Sequence, residues 1–366
     1  MAKIKKNDEL EWTPPILPPE GPDLETKPVL KKLNSAHRYL AELKGISKTV
    51  PNESILIDTL TLQEAKDSSE VENIVTTHDD LFKAEIFIGD RKKPAAKEVG
   101  NYVQALKKGF DLIRKNGVLT VNHICDIQAE VMQSESGIRK LPGTKLLNPG
   151  TGKIVYVPPQ HHETIIKLLA NLELYCDDDS LSDVDPLLKM AVVHFQFESI
   201  HPFYDGNGRT GRIINILYLV MKGLLDLPIL YLSRYIIRNK EEYYNLLREV
   251  RETGIWENWL GYIIQGIAET SLETITKIHN MRTLIIDYKH RIRKNFPRIY
   301  SQDLINNLFR HPYTRIDFLE KDLGVARLTA AKYLKLLSEA GFLEARKQGR
   351  NNYYVNVPLV DILLGD

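Results

Sequence analysis

Between His201 and Arg212 the chain reads His-Pro-Phe-Tyr-Asp-Gly-Asn-Gly-Arg-Thr-Gly-Arg, which gathers an imidazole, a carboxylate, close-approach glycines and two guanidiniums into one short run. An imidazole titrates near neutrality, which suits His201 to take a proton from an attacking hydroxyl. Asp205 supplies a hard oxygen ligand for magnesium, an ion usually held by one or two carboxylates plus nucleotide phosphates. Arg209 and Arg212 offer planar forks for phosphate oxygens. The chemistry implied is phosphoryl or nucleotidyl transfer.

Two helices must position these groups. Asp185 and Pro186 make an N-cap and first-turn pair, and the apolar run Leu187, Leu188, Met190 to Val193, Phe195 and Phe197 predicts a helix buried on most sides. Pro202 ends it, because the residue before a proline avoids helical geometry, so His201 stands at the mouth of that helix. A second helix is expected from Arg209 to Lys222, with Gly223 as its stop. Gly206, Asn207 and Gly208 then lie at its N-terminus, where unpaired backbone N–H groups and the helix dipole favour an anion. A Gly-Asn-Gly alone is also an ordinary turn. The complete run is far more specific.

That run resembles the signature of the Fic family, His-x-Phe-x-Asp/Glu-Gly-Asn-Gly-Arg-x-x-Arg, and it matches at every fixed position. The resemblance implies a mainly α fold: a Fic helical core with a β-hairpin flap, transferring AMP from ATP to a Tyr, Thr or Ser hydroxyl of a protein and releasing pyrophosphate. It assigns His201 as general base and Asp205 as the Mg2+ ligand. Phe203 anchors the loop, and Gly206, Asn207, Gly208, Arg209, Thr210, Gly211 and Arg212 form the ATP-binding set. The family often forms homodimers.

The flanks extend the resemblance. Residues 144 to 159, with Asn148-Pro149-Gly150 at a turn and Ile154, Val155, Tyr156 and Val157 after it, read as a β-hairpin. In the family such a flap docks the target by strand addition, which reads backbone rather than side chains. Tyr243 and Tyr244 resemble the family's adenine-side contacts, with Tyr243 the favoured one. Arg251 departs from the Asn that some relatives carry near the nucleotide.

Further upstream, Ser68-Ser69-Glu70-Val71-Glu72-Asn73 fits the family's inhibitory pattern, Ser/Thr-x-x-x-Glu-Gly/Asn. In that reading Ser68 and Asn73 frame Glu72, which pairs with Arg212 and competes with phosphate for the same bidentate fork. The alternative is a Ser69–Glu72 capping box with no regulatory role.

After a helical stretch from Trp256 to about Tyr288, the basic run Lys289 to Lys294 and Phe296-Pro297 mark a boundary. Helices are expected over 302 to 310, 315 to 322 and 327 to 340. Strands at Phe342 to Ala345 and Tyr353 to Val355 follow, around a wing at 347 to 351. This order resembles a C-terminal winged helix domain, a winged helix-turn-helix whose third helix would offer Arg327, Thr329, Lys332 and Lys335 to DNA, with Lys347 and Arg350 on the wing. The alternative function is therefore a DNA-binding regulator whose Fic core is a nucleotide sensor.

The division expected is an N-terminal arm and helix over 1–54, a Fic domain over 55–295 with the inhibitory helix near 61–73, and the winged helix over 296–366. Prolines 14, 15, 18, 19 and 28 predict an extended arm, and Leu30 to Leu43 a helix closed by Gly45. With 366 residues, 43% of them hydrophobic, the chain can bury a sizeable core. A net charge of +1 does not mark a nucleic-acid or membrane binder. Cys125 and Cys176 have neither disulfide-framework nor metal-site spacing, so a cytoplasmic setting is expected. His161-His162 reads as a helix start, Asp177 to Asp179 as a solvated loop, and His194 as a core histidine.

Overall fold

Val29, Leu33, Ala36, Leu40 and Leu43 recur at helical spacing and are all buried. They form one face of α1 (Lys27–Ser47), which packs along α11 (Glu257–Asn295). The structure is a computed structural model and describes residues 11–86, 94–147, 152–349 and 351–365. Gly45 does not end α1. The helix continues to bury Ile46, and that burial outweighs the cost of about 1 kcal/mol for a glycine in a helix interior.

Around this pair the chain is mainly helical. The elements leading to the hairpin are α2 (Glu53–Val71), α3 (His78–Ile86), α4 (Pro94–Asn116) and α5 (Val121–Met132). The hairpin is β1 (Leu146–Leu147) with β2 (Ile154–Tyr156), antiparallel, pairing Leu146 with Tyr156 and Leu147 with Ile154. Then come α6 (His162–Asp177), α7 (Pro186–Ile200), α8 (Asn207–Met221), α9 (Leu232–Arg238) and α10 (Lys240–Thr253). The Asp185 side chain accepts from Leu187 N at 2.9 Å to cap α7, which is buried on every side, as its sequence predicts. α8 begins at Asn207, two residues before Arg209, so Gly208 lies inside its first turn.

The helix expected to stop near Tyr288 runs on through the basic segment, because Tyr288 and Ile292 are one turn apart and both buried. Beyond it lie α12 (Gln302–Arg310), β3 (Tyr313–Thr314), α13 (Ile316–Leu323), α14 (Arg327–Glu339), β4 (Glu344–Gln348), β5 (Asn351–Val355) and α15 (Val357–Leu364). The small sheet has the order β3-β5-β4, so the hairpin is longer than expected and gains a third strand. Gly324 turns the chain between α13 and α14 in the left-handed conformation, at φ 64°.

α2 is sandwiched between the core and this C-terminal unit, and it buries polar side chains beside apolar ones such as Leu56 and Leu60. Glu64 accepts from Ser233 N at 3.1 Å and from the Tyr102 hydroxyl at 3.2 Å. Burial pushes its carboxyl up to about 8. On the other side Asp58 accepts from Arg310 Nε of α12 and from Lys107 Nζ, both at 2.5 Å. Next along, the Tyr313 hydroxyl donates to Asp79 of α3 at 2.9 Å, and its ring lies 5.0 Å from that of Phe82.

Candidate active site

α7 ends where the side chains that could do chemistry begin. His201 takes the left-handed conformation, φ 48° and ψ 59°, and its N–H still donates to Phe197 O at 3.0 Å. The loop that follows is pinned from both sides. Phe203 is fully buried, its ring 6.3 Å from that of Phe197. Asn207 Oδ1 accepts from Phe203 N, and Asn207 Nδ2 donates to Phe203 O, each at 2.8 Å. Thus Asn207 works as an internal clamp on the loop.

Gly206 is the N-cap of α8 at φ 76°, and a Cβ there would lie 2.8 Å from Met132 Sδ. Its N–H donates to Asp205 Oδ1 at 2.6 Å, and the Asp205 side chain is 69% exposed. Thr210 is buried in the body of α8, with its N–H on Gly206 O at 3.0 Å. A Cβ on Gly211 would meet Glu198 Oε1 at 2.6 Å. Burial pushes the Glu198 carboxyl up to about 7.

Glu72, just past the end of α2, reaches both arginines. Arg212 NH2 donates to Glu72 Oε1 at 2.9 Å, and Arg209 Nε donates to Glu72 Oε2 at 3.0 Å. Arg212 also donates through Nε to Ser68 Oγ at 2.7 Å and through NH2 to Ser68 O at 2.8 Å. Arg209 NH1 donates to Glu98 Oε2 at 3.0 Å. Gly208 completes the arrangement, since a Cβ there would stand 2.5 Å from Glu72 Oε1. Asn73, at φ 64°, accepts from Lys240 Nζ at 3.0 Å. The capping alternative is excluded: Ser69 Oγ donates back to Ala65 O at 2.8 Å, and Glu72 closes a helix rather than opening one.

Removal from water, followed by the nearby Arg139 guanidinium, pushes the His201 imidazole down to about 4, so it is neutral at physiological pH. His194 behaves as a core residue. Its Nε2 is 2.9 Å from the Tyr243 hydroxyl, its ring stacks on Trp259, and burial lowers it to about 3. Among the described residues no group of three or more His, Cys, Asp or Glu side chains is placed to share a metal. Cys125 and Cys176 are free thiols.

The tyrosine pair divides differently from expectation. Tyr243 is buried, against Trp259 and His194, whereas Tyr244 is 47% exposed. Tyr244 lines a cleft of about 390 Å3 together with Glu72, Val155, Glu198, Lys240 and Arg251. Arg251 lies over the Tyr156 ring, 4.3 Å from its centroid, and so closes the wall between α10 and the hairpin. Packing of α10 on α11 turns Tyr243 inward.

The hairpin also corrects an expectation. Of Ile154, Val155, Tyr156 and Val157, the last two are buried. The Tyr156 hydroxyl donates to Ser199 O, and Val157 O accepts from Trp12 N at 3.1 Å. The N-terminal arm therefore already pairs with the strand at Val157, leaving half-buried Ile154 and exposed Val155 toward solvent. The turn at Asn148 to Thr151 lies outside the described residues, as does Arg350.

On the C-terminal unit, Arg327, Lys332 and Lys335 are exposed and Thr329 is half-buried. Arg327 lies 3.8 Å from Glu320 and Lys335 lies 3.7 Å from Glu339. No helix among the described residues is long and apolar enough to cross a membrane. Arg139, Glu98 and Glu64 escaped the sequence reading. Each acts through partners distant in the chain, and no local spacing marks them.

Known proteins share this architecture. Residues 30–111 match the Fic/DOC family N-terminal region, 118–219 the Fic/DOC family itself, and 284–359 the C-terminal domain described as protein adenylyltransferase SoFic-like. A probable protein adenylyltransferase of Aquifex aeolicus is 30% identical over 211 residues, 54% of this chain and 58% of that protein. A protein adenylyltransferase of Caenorhabditis briggsae is 33% identical over 72 residues, 20% of this chain and 14% of that protein. The chain thus spans a little over half, or much less, of the curated relatives it matches. In fold, a Fic family protein from Desulfovibrio desulfuricans superposes with a TM-score of 0.59 at 18% identity, covering 92% of this chain and 98% of the other. Fic-1 of C. elegans gives 0.53 at 19%, covering 67% and 71%. The motif around His201 falls inside the central match, which the Fic/DOC N-terminal match precedes and the SoFic-like C-terminal match follows. The chain belongs to the Fic/DOC family.

Proposed function

We propose that this chain is a protein adenylyltransferase held in an inhibited state by Glu72. One observation carries the reading: a single carboxylate spans Arg209 and Arg212 directly over Gly208. That position, at a helix N-terminus between two guanidiniums, suits a phosphate equally well. Glu72 occupies it by supplying the same charge from within the chain.

In the active form, the N–H groups of Asn207 and Gly208 and the two arginines hold the triphosphate of ATP, and Tyr244 with Arg251 flanks the nucleoside. His201 is neutral and accepts the proton of a target Tyr, Thr or Ser hydroxyl. The hydroxyl oxygen bonds to the α-phosphorus as the bond to the β-phosphate bridge breaks, and pyrophosphate leaves. Asp205 is exposed, with one oxygen held by Gly206 N–H, so its donor chemistry fits a magnesium ion shared with nucleotide phosphates. Such an ion neutralises phosphate charge when bound. Ile154 and Val155 offer the exposed part of the hairpin to an extended target segment.

Incubation with labelled ATP and magnesium tests the proposal. Glu72→Gly should label itself or a protein in a lysate, and Glu72→Gly with His201→Ala should not. If the Glu72 variant binds ATP yet transfers no label, the enzyme reading fails.

The second reading, a DNA-binding regulator, draws on the exposed cations of α14. Acid partners beside Arg327 and Lys335 weaken that attraction. Gel shifts on duplex DNA across a salt series decide it, since phosphate contacts must give salt-dependent binding.

A further inference from the structure

Arg139 sits between α5 and the hairpin with none of its surface exposed. A buried guanidinium normally faces a carboxylate, because an uncompensated charge is costly away from water. The hydrogen bonds of Arg139 among the described residues run instead to main-chain carbonyls. Its Nε donates to His201 O at 2.8 Å, and its NH2 donates to Ile200 O at 3.3 Å and to Pro159 O. Its own N–H donates to Pro202 O at 2.9 Å.

Two of those carbonyls stand at the C-terminal end of α7, where acceptors lack intrahelical partners and the dipole is negative. Arg139 therefore caps α7 from outside. The third belongs to Pro159, where the chain leaves the hairpin. His201 itself adopts a left-handed conformation that L-residues with side chains disfavour, at φ 48°. One NH1 of Arg139 is left without a partner, so the arrangement is not one of maximal stability.

The geometry points to Arg139 as a positioning residue for the proposed adenylyl transfer: it locks the His201 main chain in its left-handed turn and fastens the root of the hairpin to that turn. The imidazole and the strand that would present the target hydroxyl then share one rigid support. This inference rests on the adenylyltransferase reading for its kinetic consequence only. The structural claim can be read without turnover.

The charged groups facing His201 are Arg139 from this segment and Arg251 from α10, which lower its titration, and Asp205 from its own loop, which raises it. Removing Arg139 must therefore move His201 upward, toward the ordinary histidine range. Replacing it by Lys keeps the charge but cannot reach three carbonyls at once.

In the Glu72→Gly background, Arg139→Met and Arg139→Lys should each lower kcat on the order of a hundredfold, the scale of a misplacement of about 1 Å, with the KM for ATP within about twofold. NMR of the His201 imidazole should show its titration raised in Arg139→Met and still low in Arg139→Lys, with amide shifts at 200–203 moved in both. Should Arg139→Met not fold, Arg139→Lys carries the test alone. A folded variant that keeps the parental kcat, or the parental amide shifts at 200–203, overturns the positioning role. If the Glu72→Gly parent transfers no AMP, the enzyme reading falls, and the NMR arm still decides on Arg139.

Discussion

Glu72 Oε1 lies 2.9 Å from Arg212 NH2 while its other oxygen lies 3.0 Å from Arg209 Nε, so one carboxylate bridges both guanidiniums of the motif. A bidentate bridge of this kind must be broken before a phosphate can take its place. With charge-assisted hydrogen bonds worth about 1.5–3 kcal/mol each, its loss in Glu72→Gly should raise AMP transfer roughly 10- to 100-fold. Glu72→Gln keeps the shape without the charge and should fall between. Rates of label incorporation at saturating target measure the series, and equal rates in all three proteins would remove Glu72 from regulation.

The same bridge stabilises the fold. Arg209 and Arg212 are only 2% and 3% exposed, whereas Glu72 is 24% exposed. Removing one side of a buried pair costs about 3–5 kcal/mol, and the partial exposure of Glu72, together with Glu98 beside Arg209, brings the expected loss to about 1–3 kcal/mol. Glu72→Gly should therefore melt earlier than wild type without nucleotide and be stabilised more by ATP, which supplies the missing negative charge. Thermal melts with and without ATP and magnesium check this. A variant no less stable than wild type and no more responsive to ATP contradicts it.

Arg310 links the C-terminal unit to the same helix that carries Glu72. Its Nε is 2.5 Å from Asp58 Oδ2 on α2, and Tyr313 holds Asp79 on α3, so α2 and α3 are gripped from behind as Glu72 grips the arginines in front. Arg310→Ala should weaken that grip by about 1 kcal/mol and raise the population with Glu72 withdrawn about fivefold. AMP transfer should rise accordingly with Glu72 present and stay unchanged when Arg310→Ala is added to Glu72→Gly. An equal effect in both backgrounds points away from α2.

Local chemistry made the motif legible. The loop between α7 and α8 is built by contiguous residues whose roles are set by backbone geometry, namely Pro202, Gly206, Asn207 and Gly208, so type and order sufficed. Tyr243 and Tyr244 are adjacent on α10, and their difference is decided by Trp259 and Tyr262 on another helix, which no local pattern encodes. Likewise Val157 reads as a free strand residue until Trp12, distant in the chain, pairs with it. Arg139 and the Arg310–Asp58 contact are of the same kind, long-range pairings whose members look like solvated surface charges in the sequence.

Glu64 offers a pH test of how α2 is held. Its folded-state value of about 8 lies above that of an exposed glutamate because burial disfavours the charged form. Between the two values the folded chain binds a proton that the unfolded chain has lost. The associated stability is thus fully present below the unfolded value and is lost as pH rises through the folded one. Glu64→Gln cannot ionise and should show no such loss, although it must still accept from Ser233 and Tyr102. The difference in unfolding free energy between wild type and Glu64→Gln should therefore shift in favour of the variant as pH rises from about 5 to about 8.5, by a few kcal/mol at most. Urea unfolding across that range measures it. A difference that stays flat with pH would mean that Glu64 is ionised in the folded chain and that a paired charge, not a neutral carboxyl, anchors α2 to α9.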